Sequence, residues 1–107
     1  MKHLNLNKKI ITLIGFAIRA GQIVTGFEAV KKSIYKKKLA LILVNNKISR
    51  NTYNKIRNTL DNSDIPLIIT DAQVNWEKCW GIRRHKLLGI INGIIGNNIM
   101  QQLKAGV

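Results

Sequence analysis

Apolar residues recur along this chain at two spacings. From Leu6 to Ala20, the residues Leu6, Ile10, Leu13, Ile14 and Ala17 fall three or four apart, which is one face of a helix that Gly21 ends. Ile23-Val24-Thr25 is short and β-branched. Thr25-Gly26 then opens a second helix with Ala29, Val30, Ser33 and Ile34 on its inner face, closed by Lys37-Lys38. The run Leu39-Ala40-Leu41-Ile42-Leu43-Val44 shows no alternation, as expected of a strand buried on both faces. Ser49 is placed to cap a third helix carrying Tyr53, Ile56 and Leu60. After the turn cluster Asp61-Asn62-Ser63-Asp64, a second buried strand is predicted over Ile65 to Thr70, with Pro66 near its start. A short helix is predicted from Asn75 to Trp80, ended by Gly81, and a third apolar strand from Leu87 to Ile91. Gly89, Gly93 and Gly96 read as turns, with a last helix near Asn97 to Lys104.

Apolar strands between amphipathic helices imply a sheet covered on both faces. The expected fold is an α/β three-layer sandwich around a small mixed sheet of about four strands. It forms one domain over residues 1–107, long enough for one core.

Charge changes the picture. Eighteen Lys and Arg against five Asp and Glu give a formal net charge of +13, while 46% of the residues are hydrophobic. A basic tail would be polar and unfolded; here a positive field sits on a folded surface, which points to phosphate. Lys8-Lys9 before the run Ile10 to Ile18 resembles a leader peptide, but the helical spacing and the lack of a small-x-small site favour an ordinary helix. No apolar run is long enough to span a membrane. Cys79 is alone, so no intrachain disulfide can form; a reducing, cytoplasmic setting and a buried thiol are expected. His3 and His85 lack Cys, Asp or Glu at ligand spacing, so neither a metal nor another cofactor is expected. Glu28, Asp61, Asp64, Asp71 and Glu77 are scattered, and no nucleophile–base–acid set emerges, so a non-enzymatic protein without a small-molecule substrate is expected.

Three segments carry candidate chemistry. The Gly26 helix start, with Phe27 and Glu28 in its first turn, exposes unpaired N–H groups, and Lys31 and Lys32 add charge. The same arrangement also serves as a plain cap with a solvated face. Asn45-Asn46-Lys47-Ile48-Ser49-Arg50 offers amides for base edges and cations for phosphate, although Asn-Asn is also turn chemistry. Gly81-Ile82-Arg83-Arg84-His85-Lys86 combines an apolar tip with Arg83, Arg84 and Lys86, which can fork to phosphate or stack on a base. Each segment begins or ends a helix, and loops at one end of such a sheet can converge. Trp76 and Trp80 share a helix face, as do core residues; Phe16, Tyr35 and Tyr53 are also assigned to packing. A protein-interaction module, dimeric through the Trp76/Trp80 helix or meeting an acidic partner, is the alternative from another class.

IGFAIRAGQIVTGFEAVKKSIYKKKLALILVNNKIS, Ile14 to Ser49, resembles the opening of the kink-turn-binding ribosomal protein superfamily of the seven-Ae and thirty-e types. FAIRAGQIVTG and LALILVNN resemble its bacterial YlxQ-like branch in particular. The likeness runs over about residues 6 to 103, more specific in the first half. It implies an α/β/α fold and binding of structured RNA, either kink-turn or ribosomal RNA, in a ribosome-linked role. It also implies roles by position. Gly26 matches the family's helix-start glycine, and Lys32 the lysine one turn on. The loop 45–48 matches the one after the first buried strand, and Ile82 the apolar residue that packs on an extruded nucleotide. The family's Asn-Glu pair, which contacts sheared G·A bases, falls on Glu28 and Ala29 and is not kept. Glu77 stands where many members carry Gly.

Overall fold

A computed structural model describes residues 2–3, 7–61 and 63–105 of the chain. The order is β1 (Lys2–His3), α1 (Lys8–Arg19), β2 (Ile23–Thr25), α2 (Phe27–Tyr35), β3 (Leu39–Asn45), α3 (Arg50–Thr59), β4 (Leu67–Thr70), α4 (Trp76–Trp80), β5 (Leu87–Ile91) and α5 (Ile94–Ala105). The strands form one mixed sheet ordered β1-β4-β3-β5-β2, parallel at β1–β4 and β4–β3, antiparallel at β3–β5 and β5–β2. Four strands carry the sheet, and the two-residue β1 adds an edge. His3, expected at a loose end, pairs with Ile69 in that edge. Leu6, expected on the first helix face, lies outside the described residues.

Alternation along β2 to β5 sends their side chains into two cores. Leu41, Leu43, Ile68, Leu88 and Ile90 meet Ile10, Ile14 and Ala17 of α1, Trp76 and Trp80 of α4, and Ile99 and Leu103 of α5. Ile42, Val44, Leu67 and Leu87 meet Val30 and Ile34 of α2 and Ile56 of α3. This is the expected three-layer α/β/α sandwich. Leu39 breaks the alternation by joining the α2–α3 core although Leu41 faces the other way. The register explains it: Leu39 pairs with Ile91 and Leu41 with Ile90, so two steps on β3 oppose one on β5 and Ala40 is the extra residue of a bulge.

Two glycines expected in turns do packing work instead. Gly89 lies inside β5, and a Cβ there would stand 2.8 Å from Leu39 Cδ1. Gly96 is buried in the first turn of α5, which therefore starts at Ile94, earlier than predicted. A Cβ on Gly96 would stand 2.8 Å from the Ile91 carbonyl oxygen and 3.2 Å from Ala40 Cβ. Backbone cannot yield as a side-chain tip can. Gly96→Ala is therefore expected to destabilise the protein by about 1–2 kcal/mol, overpacking outweighing the better helix propensity of Ala. A denaturant midpoint equal to or above wild type would remove this close approach as a constraint.

The tryptophans are core residues, as expected. Their rings meet edge to face at 5.6 Å, and each indole N–H is used: Trp76 Nε1 donates to Thr70 Oγ1 at 2.8 Å and Trp80 Nε1 to the Ile11 carbonyl at 3.1 Å. Their burial leaves neither ring at the surface for the dimer contact considered above. Cys79, expected buried, is exposed, because Trp76 and Trp80 take the inward side of a helix only five residues long. Phe16 and Tyr35, expected to pack, are 47% and 67% exposed. Phe16 points outward beneath the Arg19 guanidinium, 4.9 Å from its ring centroid, and Tyr35 is the last residue of α2. Tyr53 is half-buried, with its hydroxyl buried and without a hydrogen-bond partner. Among the described residues no helix is long and apolar enough to cross a membrane, and no His/Cys/Asp/Glu group is disposed to hold a metal ion.

Candidate nucleic-acid interface

The mixed sheet decides which loops meet. β2, β3 and β4 run the same way and finish at Thr25, Asn45 and Thr70, while β5 runs against them and starts at Leu87. One end of the sheet thus carries the β2–α2 junction, the β3–α3 loop, the β4–α4 connection and the entry to β5. Backbone hydrogen bonds tie them together: the Gly26 N–H donates to the Leu87 carbonyl at 3.0 Å and the Asn45 N–H to the Lys86 carbonyl at 2.8 Å.

Each junction has a local cause. Gly26 precedes α2 at φ 85° and ψ 160°, a conformation essentially reserved for glycine. No side chain caps α2. The first-turn N–H groups are therefore left for an outside acceptor, at the positive end of the helix dipole. A Cβ on Gly26 would also stand 3.4 Å from His85 Nδ1, so the imidazole lies directly against the glycine. Asn45 Oδ1 accepts from the Lys47 N–H at 2.9 Å and closes the turn. This uses the oxygen of one of the two amide groups expected to face a base; Asn46 stays exposed. Ser49 Oγ accepts from the Thr52 N–H at 3.1 Å and caps α3, as predicted. Gly81 ends α4 at φ 71°, turning the chain into the arginine loop.

Three adjoining clefts open at this end. The first, about 360 Å³, lies between Gly26–Phe27, Lys47–Ser49 and Arg84–Leu87. It brings Lys47, Arg84, His85 and Lys86 together, and no carboxylate lines it among the described residues. The second, about 180 Å³, shares Lys47, His85 and Lys86 with the first and adds Asn45, Asn46, Ile82 and Arg83. The third, about 370 Å³, continues from Asn45 and Asn46 to Arg50, Tyr53, Asn54 and Ile69.

All three candidate segments thus meet, but not with every residue. Gly26, Phe27, Asn45, Asn46, Lys47, Arg50, Ile82, Arg83, Arg84 and Lys86 line one or more of the clefts. Glu28, Lys31 and Lys32 line none. They lie on α2 beyond the rim, with Lys31 Nζ 5.8 Å from the centroid of the Phe27 ring. Arg83 is 79% exposed, and its Nε stands 3.4 Å from Glu77 Oε1. So exposed a pair contributes little and can be exchanged for another anion. The sequence places His85 in the arginine loop and shows nothing of its position against Gly26. Tyr53 was assigned to packing, although it also borders the third cleft. Neither position has a signal in spacing; both depend on which loops the sheet brings together.

No family model matches the chain. It is 29% identical over 85 residues to the RNA-binding protein YlxQ of Enterococcus faecium, a match spanning 79% of this chain and 82% of that protein. A protein with unknown function from Bacillus halodurans has a similar solved structure, with a TM-score of 0.77 at 19% identity over 92% of this chain and 99% of that one. The Giardia lamblia 15.5kD RNA binding protein gives a TM-score of 0.72 at 11% identity over 95% and 93% of the two chains. At those identities the two solved structures establish likeness of fold, and the likeness to YlxQ is one of sequence.

Proposed function

We propose that this chain is a single RNA-binding domain that holds structured RNA at the cleft-bearing end of its sheet, without catalysis, in a ribosome- or translation-linked role in the cytoplasm. The observation that carries this reading is the first cleft. There an uncapped helix N-terminus faces Lys47, Arg84 and Lys86, with no carboxylate among the described lining residues. Phosphate oxygens suit both the N–H groups and the cations. The similarity to YlxQ, itself named an RNA-binding protein, supports the same reading. Ile82, half-buried in the second cleft, is suited to pack on a splayed base.

A kink-turn or a related bent RNA is the target proposed, from the position-by-position likeness around Gly26 and Lys32. The second reading is recognition of ribosomal RNA by charge and shape alone, and the Glu28–Ala29 sequence favours it. Phosphate contacts fix position, whereas base contacts specify. Binding to a kink-turn RNA and to a straight duplex of equal length, across a salt series, separates the two. We expect the kink-turn RNA to bind about 100-fold more tightly at physiological salt, about 2.7 kcal/mol. Equal affinities falling together with salt would leave the second reading, and no binding to either RNA would overturn both.

A further inference from the structure

Outside the three clefts, a second cation arrangement lies on the outer side of the α2–α3 layer. The ammonium groups of Lys31 on α2 and Lys55 on α3 each stand 5.8 Å from the centroid of the Phe27 ring. They are therefore no further apart than twice that distance, comparable with the Debye length of roughly 10 Å at 0.1 M salt, so one anion can feel both. The half-buried ring fixes both through its quadrupole. Two cations drawn to one ring make a local concentration of positive charge that a phosphate can meet. Phe27 also lines the first cleft, so this seat is continuous with it.

We propose that Lys31, Lys55 and Phe27 form a backbone-phosphate seat that carries the RNA contact from the sheet end onto the α2–α3 face, where the helical stem flanking the bound motif would lie. This rests on the RNA-binding reading above. The occupant is the phosphodiester backbone of an RNA helix, argued from the paired cations and their continuity with the cleft. Phe27 acts by positioning the two ammoniums.

The test compares wild type, the double variant Lys31→Gln/Lys55→Gln and the control Lys9→Gln/Lys104→Gln, which removes two charges from exposed positions on α1 and α5. Each is titrated across a salt series with a kink-turn RNA carrying a long flanking stem and with the same RNA cut back to a minimal stem. We expect the Lys31/Lys55 variant to lower the salt slope on the long-stem RNA by up to about two units, roughly one per lost phosphate contact. The minimal-stem slope should change less, and the control should leave both slopes unchanged. Unchanged slopes in the Lys31/Lys55 variant would overturn the seat while leaving RNA binding intact. An equal loss in the control would show an effect of net charge and also overturn it. A wild type that binds neither RNA would instead remove the reading on which the seat rests.

Discussion

Replacing Lys47, Arg84 and Lys86 together by Gln is expected to weaken RNA binding on the order of 100-fold at physiological salt and to lower the salt slope by about three units. These three side chains come from two separate loops and share the first cleft. Each replacement keeps a polar side chain at an exposed position, so the fold should be unaffected. Three charges lost from anywhere on the surface of so basic a protein would weaken binding somewhat. The local reading requires more than a same-charge control at Lys8, Lys9 and Lys104, which lie on α1 and α5. Equal losses in the two triple variants would mean that the cleft has no privileged role.

Trp76→Ala should have the largest effect on stability, about 3–5 kcal/mol, which is a large part of the total for a domain of this size. Trp76 is 3% exposed and packs on Trp80, and its indole N–H holds Thr70 Oγ1. Thr70 is the buried polar side chain among the described core residues, and its hydroxyl in turn donates to the Val44 carbonyl at 3.4 Å. Trp76→Phe keeps most of the volume but leaves that oxygen short of a donor, at a cost of about 1–3 kcal/mol. Denaturant unfolding reads both variants. If the two lose the same amount, the indole hydrogen bond rather than the cavity dominates. If neither loses more than 1 kcal/mol, as for a typical surface change, the packing described for α4 is wrong. Because α4 leads directly into Gly81 and the arginine loop, the Ala variant should also blur the second cleft, which Trp76 lines.

What could be foreseen followed local physics. The unbroken run Leu39 to Val44 became the central strand, Ser49 and Gly81 marked helix ends through cap and φ requirements, and the alternation of elements implied the three layers. What was missed depended on partners distant in sequence. Spacing shows that Gly89 sits in an apolar stretch, but not that Leu39 lies across it after a bulge. Five residues around Cys79 are too few for periodicity to tell inward from outward. The three candidate segments were found one at a time, each weak. Their union follows from β5 running against β3, a fact of long-range pairing that no local pattern contains. The contact of His85 with Gly26 and the place of Lys55 beside Phe27 became visible only through that union and through the packing of α3 beside α2.

The hydrogen bond from Gly26 to Leu87 also sets an order in time. Among the described residues β2 pairs only with β5, so the start of α2 is fixed by a stretch made more than sixty residues later. Closing so long a loop is slow compared with forming helices or neighbouring pairs. A chain emerging during synthesis exposes Lys31, Lys32 and Lys47 well before Leu87 exists to anchor them. Until then it is an unshaped polycation, able to meet nucleic acid only by charge. On the RNA-binding reading proposed above, selectivity therefore arrives with the last strand, and a chain released short of it is sticky without being discriminating.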